Sequence, residues 1–223
     1  MSADAADLRA ALEQQADPDR AVEMRRYMRD RFPFLGVASP QRRRAQRDWM
    51  AGLRTAPIDD VIAAAQACWR EPEREFQYAA ADLLKRHAKR VEPRHLPVVR
   101  RLIEQGAWWD VVDVLAPHVV GSLVERHPEL VAEMDRWVLD DDMWVVRSAI
   151  LHQLTYGDRT DADRLFRCCE QQAGHPDFFV RKAIGWALRQ YARVAPDAVR
   201  DWVADHEPEL SKLSVREATK HLR

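Results

Sequence analysis

The sequence predicts an all-α protein of repeated helices, and three observations carry that expectation. Glycine is scarce, 7 of 223 residues, whereas strand-rich folds need many tight turns. The helix formers Ala, Leu and Arg are abundant. Prolines, among them Pro18, Pro40, Pro57, Pro93, Pro128, Pro176 and Pro196, divide the chain into segments of helix length, with apolar residues spaced three and four apart.

The elements follow in order. Residues 4–52 read as three helices, and the pairs Asp17-Pro18 and Ser39-Pro40 suit helix starts, a cap followed by a proline in the first turn. Beyond them, four segments superpose. They begin at Phe76, Trp109, Trp144 and Phe179, at spacings of 33, 35 and 35 residues. Each starts on an aromatic residue and continues as an amphipathic helix rich in small residues. Further helices are expected between them, at about 57–70, 93–105, 128–139 and 160–173. A period in the mid-thirties made of a helix pair is the signature of an α-solenoid. No linker stands out, so 1–223 reads as a single domain.

Composition narrows the function classes. With 47% hydrophobic and 32% charged residues the balance is globular. The net charge of −1 weighs against a nucleic-acid partner, but the charge is uneven. Arginines cluster at Arg42-Arg43-Arg44, through Lys85–Arg90 and at Arg100-Arg101, while Asp140-Asp141-Asp142 lies elsewhere. Solvated helix faces and a single basic face both fit this pattern. The cysteines, Cys68, Cys168 and Cys169, suit neither a disulfide framework nor a zinc site. A reducing cytoplasm is therefore the expected compartment. The N-terminus lacks the pattern of a signal peptide, and no apolar stretch approaches the ~20 residues that span a bilayer. No membrane association and no metal are expected.

One stripe of the repeat carries chemistry. Counted from the aromatic starts, Trp109, Arg147, Asp113 and Trp186 stand at offsets of zero, three, four and seven, which share one face of a helix. In a solenoid, equivalent faces line one surface, so these four residues should converge. The equivalent positions in other repeats are mostly small or apolar, such as Ala79, Ala80 and Leu83. A packing stripe has no use for a carboxylate, the cations Arg147 and Lys182, and an extra tryptophan. An unpaired buried charge is expensive, so the charged groups either pair across repeats and set their register or face solvent in a cleft. Residue pattern leaves both readings open.

Several strings here resemble a known family. WWDVVD (Trp108 to Asp113), WVVRSAILHQL (Trp144 to Leu154), FFVRKAIGWALRQYA (Phe178 to Ala192), LSVREATKHL (Leu213 to Leu222) and the N-terminal YMRDRFPFLGV (Tyr27 to Val37) are similar to the AlkD-like DNA alkylation repair glycosylases, built of HEAT-like repeats with a concave DNA-binding surface. The likeness spans nearly the whole chain. It implies an enzyme that removes positively charged N3- and N7-alkylated purines from duplex DNA. It assigns the essential carboxylate to Asp113, the flanking aromatics to Trp109 and Trp186, a DNA-contacting arginine to Arg147 and an N-terminal surface aromatic to Tyr27. The family also holds divergent, inactive members that lack the acid, which this sequence keeps. Val146 departs from the pattern, since related sequences often carry a polar residue before the arginine.

The implied chemistry follows from the substrate. A base that is already cationic leaves without protonation, so one carboxylate facing the oxocarbenium-like sugar suffices, and it can also orient or deprotonate water. Lys182, Arg181, Arg43 and Arg44 would grip the DNA backbone without reading sequence. The expectation is a monofunctional, monomeric glycosylase without cofactors that leaves an abasic site, working in a bacterial cytoplasm and at the nucleoid when on DNA. The alternative is a non-catalytic repeat protein that binds distorted or branched DNA.

Overall fold

The computed structural model describes residues 5–222. Among them there are α-helices and single helical turns but no strand, so the all-α, helical-repeat expectation holds. The chain forms two compact units, Met1–Val91 and Glu92–Arg223.

In the first unit, four helices stand where three were expected. Ala5–Glu13 and Pro18–Tyr27 are followed by Ser39–Ala45 and Arg47–Gly52, which divide at Gln46. The Gln46 side chain there turns to the carboxylate of Asp82. Asp17 caps its helix as its position before Pro18 predicts, accepting from the amide of Arg20. Ser39 does not act as a cap: Ala38 holds that position, and Ser39 is already helical. Ile58–Trp69 packs against Arg74–Arg86, which also receives Ser39–Ala45.

The second unit holds three of the four aligned helices, those that start near Trp109, Trp144 and Phe179, while the Phe76 segment is Arg74–Arg86 of the first. Trp109–Leu115 packs on Met143–Leu151, that helix packs on Phe178–Tyr191, and Phe178–Tyr191 packs on Lys212–Ala218. The intervening helices are Leu96–Gly106, Val131–Trp137, Ala162–Gln171 and Pro196–His206. The stack thus has one member beyond the aligned segments, because Lys212–Ala218 lacks the aromatic start that marks the others. Asp142 and Asp177, 35 residues apart, cap successive stacked helices by accepting from the amides of Trp144 and Phe179. That repeated cap sets the two helix starts at equivalent heights.

The last two stacked helices approach closely at Gly185. A Cβ at this position would lie 2.4 Å from Cβ of Glu217 and 2.8 Å from the backbone oxygen of Ser214. Glu217 in turn holds Lys182 at 2.9 Å and also pairs with Arg189. Gly185→Ala is therefore expected to force the helices apart and to lower stability by about 1–3 kcal/mol, the usual cost of overpacking. A thermal denaturation midpoint equal to wild type would show that the contact is not tight.

Candidate active site

Trp109–Leu115 opens directly after Trp108, whose backbone is extended (φ −158°, ψ 152°). This places two adjacent tryptophans in different roles. Trp108 is buried and packs with Trp144 and Phe179, with ring centroids 5.7 and 5.0 Å away, while Trp144 and Phe179 stand 4.9 Å apart. One aromatic from each of three successive repeats thus builds a common cluster. The repeat alignment assigned that position to Trp109, and the structure corrects it to Trp108. Trp109 itself is half-buried and lies one helical turn before Asp113.

Asp113 and Arg147 come together as the stripe predicts. Arg147 donates from Nε to Oδ1 at 2.8 Å and from Nη2 to Oδ2 at 2.9 Å, a two-pronged, charge-assisted pair. Its remaining Nη1 donates to the backbone oxygen of Phe179. The arginine side chain is 5% exposed and the carboxylate 17% exposed. The cation is thus enclosed, with each of its three nitrogens engaged, while its partner keeps an open edge. In this arrangement Arg147 serves the carboxylate, as the pairing across repeats expects, and the guanidinium expected to contact DNA is directed instead to Asp113 and the Phe179 oxygen. Burial pushes the Asp113 carboxyl above the usual carboxylate range, the contact with Arg147 pulls it back, and Asp110 adds to the upward push.

The helix after Asp113 is irregular for a traceable reason. Pro117 lies four residues on, so it lacks the N–H that would bond the carbonyl of Asp113, and its ring crowds that carbonyl. The chain answers with a π-helical turn over Ala116–Val120 before resuming as Gly121–Arg126. Such turns interrupt helices often at functional sites.

The other expected residues are distributed as follows. Trp186 is half-buried on Phe178–Tyr191. Lys182, on the same helix, is engaged by Glu217, which holds the Glu217 carboxyl below its usual range, with Arg189 adding to the effect. Arg181 donates from Nε to the backbone oxygen of His175 at 2.7 Å. Tyr27, Arg43 and Arg44 belong to the first unit. Tyr27 is 73% exposed at the end of Pro18–Tyr27, and both arginines are exposed.

A family model described as DNA alkylation repair enzyme matches residues 8–222. The chain belongs to the DNA alkylation repair enzyme family. A solved structure described as a predicted DNA alkylation repair enzyme from Enterococcus faecalis is similar at 30% identity and a TM-score of 0.86, covering 93% of this chain and 97% of that one. Two structures from Streptococcus mutans share the fold at 16% identity and a TM-score of 0.63. They are the protein smu.31, with 80% of this chain and 91% of that one covered, and AlkD2, with 79% and 87% covered. No curated protein matches.

Within this DNA alkylation repair enzyme, sequence reasoning missed three parts of the site: Trp108, Pro117 and the backbone oxygen of Phe179. Pro117 could have been found, because a proline inside a helical pattern announces an irregular turn. The Phe179 oxygen could not, since a backbone atom has no signature in the residue string.

Proposed function

We propose that this DNA alkylation repair enzyme is a monofunctional glycosylase that hydrolyses the N-glycosidic bond of cationic N3- and N7-alkylated purines in duplex DNA. The observation that carries the reading is the carboxylate of Asp113. It is oriented by both prongs of an enclosed arginine, it keeps an open edge, and Trp109 precedes it by one turn.

As the bond to an already cationic base breaks, positive charge gathers on the deoxyribose. A fixed carboxylate whose direction is set before reaction stabilises that charge without reorganising. The same group can orient or deprotonate the attacking water. Trp109 and Trp186 offer aromatic faces to the cation, an attraction of roughly 0.5–2 kcal/mol each. Arg147 keeps the carboxylate ionised and aimed. The leaving base needs no proton, so the reaction calls for no general acid at that end.

The test is base release from a duplex containing N7-methylguanine, followed across pH. Only ionised Asp113 stabilises the cation, so activity rises with pH as the carboxyl loses its proton. Because burial holds that carboxyl above the ordinary Asp value of about 3.9, the acid limb of kcat/KM is expected above that pH. Arg147→Gln removes the downward pull and should move the limb higher still. A duplex that binds with no base released at any pH would favour the non-catalytic reading, in which Asp113 and Arg147 only join two repeats.

A further inference from the structure

In the proposed chemistry Trp186 faces a cation, yet it shares its helix stripe with two cations. Lys182, Trp186 and Arg189 stand at spacings of four and three on Phe178–Tyr191, which is one face of that helix. All three are half-buried. Glu217, on Lys212–Ala218, holds both cations at once. Lys182 Nζ lies 2.9 Å from Oε1, and Arg189 Nη1 donates to Oε2 and, at 3.3 Å, to the backbone oxygen of Glu217. The Glu217 side chain is 15% exposed, against 37% for Lys182 and 21% for Arg189. The carboxylate is thus the more enclosed member, and the two cations are drawn toward it.

Docking of the last helix does not call for these pairs. Ser214, one turn before Glu217, donates from Oγ to the backbone oxygen of Arg181 at 3.0 Å. Ala218 is fully buried, and the missing side chain at Gly185 lets the helices meet. Partly exposed ion pairs add little to stability. What the pairs do change is charge. Two loose positive heads, one turn to either side of Trp186, would raise the energy of a cation gathering on the sugar, and each would be free to take a phosphate. One carboxylate between them cancels half of that charge and fixes where the rest sits.

We propose that Glu217 is a positioning residue of the site, which withholds Lys182 and Arg189 from the DNA and keeps their charge off the cation that forms beside Trp186. For its effect on rate the inference rests on the glycosylase reading. A lysine at this stripe position reads in sequence as a grip on the DNA backbone. Held by Glu217, it gives up that contact, and Trp186 gains a face with less positive charge around it. Hold on the intact duplex is thereby given up in favour of the transition state, and only a preference for the transition state raises the rate of the chemical step.

The experiment compares the wild-type full chain, Glu217→Gln and Glu217→Gln/Lys182→Gln at a temperature where circular dichroism shows all three folded. Anisotropy follows binding of an undamaged, fluorescein-labelled duplex at several salt concentrations, and single-turnover release of N7-methylguanine follows the reaction. Glu217→Gln keeps the size and one acceptor oxygen but loosens both cations. It should bind the duplex more tightly, with a slope of log K against log salt steeper by about 0.9 for each cation that takes a phosphate. Its rate at saturation should fall on the order of fivefold, the effect of one unit charge acting across one or two helical turns in partly solvated surroundings. Adding Lys182→Gln removes the extra charge without restoring the ion pair, so the gain in binding should shrink and the rate should recover. A rate that stays low or falls further in the double variant would overturn the inference and leave Glu217 a staple between two helices. Unchanged or weaker binding by Glu217→Gln would overturn it whatever the rates, and so would tighter binding at the wild-type rate. Tighter, steeper binding by Glu217→Gln, beside a wild type that releases no methylated base, would uphold the hold on the two cations and end the glycosylase reading. Base release by the wild type with no gain in binding by Glu217→Gln would do the reverse.

Discussion

Asp113→Asn is expected to lower single-turnover release of N7-methylguanine by at least about a hundredfold, while duplex binding persists. Removing one preorganised electrostatic group from a reacting centre costs on the order of 10²–10³ in rate, and asparagine removes the charge while keeping the size and one acceptor oxygen. The substitution also leaves Arg147 with an amide in place of a carboxylate. Because that arginine is 5% exposed, the folded state loses stability too. Breaking a buried pair on one side costs about 3–5 kcal/mol when the remaining charge is stranded. Here the loss should fall short of that range, since Asp113 keeps an open edge to water and Arg147 keeps the backbone oxygen of Phe179. Rates are therefore to be compared at a temperature where circular dichroism shows both proteins folded. Full activity in the variant would remove Asp113 from the chemistry even if the enzyme releases base.

The contrast between Trp108 and Asp113 shows what the residue string contains. Asp113 was legible because a carboxylate stands out at a stripe position where other repeats carry Ala80 and Ala183. The Arg147 pairing was legible as one of two outcomes, since three-on and four-on positions of stacked helices face each other. The choice between the tryptophans was not. Two adjacent identical side chains fit an aromatic repeat start equally well, and only the extended backbone at Trp108 turns that ring into the cluster. The helix Lys212–Ala218 escaped the alignment because it has no aromatic start. What marks its place is the missing side chain at Gly185, on the helix it packs against. The arginine runs were legible as basic, but their division was not. Whether an arginine turns to a fixed partner or stays exposed depends on Asp82 and on the backbone oxygens of Arg54 and Ala56, all distant in sequence from the arginines they engage.

Glu75 is the residue whose role was least visible, and its replacement should have the largest effect on folding. In sequence it reads as an acid in the first turn of a helix, a common and mildly favourable placement. In the structure it is fully buried. Its Oε1 accepts from the amides of Gly36 and Val37 at 2.9 and 3.1 Å, and its Oε2 accepts from the amide of Leu35 at 3.1 Å. No nearby backbone oxygen takes these three amides, because the loop turns through Gly36 at φ +84°. That turn needs glycine: a Cβ there would stand 1.9 Å from the backbone oxygen of Asp17. The neighbouring amide of Arg74 closes the same loop by donating to the oxygen of Pro33. Glu75→Ala would strand three buried donors at once. One stranded donor costs about 1–3 kcal/mol, so a total loss of at least about 3 kcal/mol is expected, a large share of the 5–15 kcal/mol that holds a typical domain folded. Glu75→Gln keeps one acceptor oxygen but turns an amide donor toward another donor, and it should fall between alanine and wild type. Urea denaturation measures the loss, and hydrogen exchange at Leu35, Gly36 and Val37 locates it. A midpoint unchanged by alanine would mean that water or a shifted loop satisfies those amides. Because the loop joins the helix ending at Tyr27 to the helix that carries Arg43, its release should also weaken duplex binding. That weakening should be larger in Glu75→Ala than in Glu75→Gln, in the order of their stabilities.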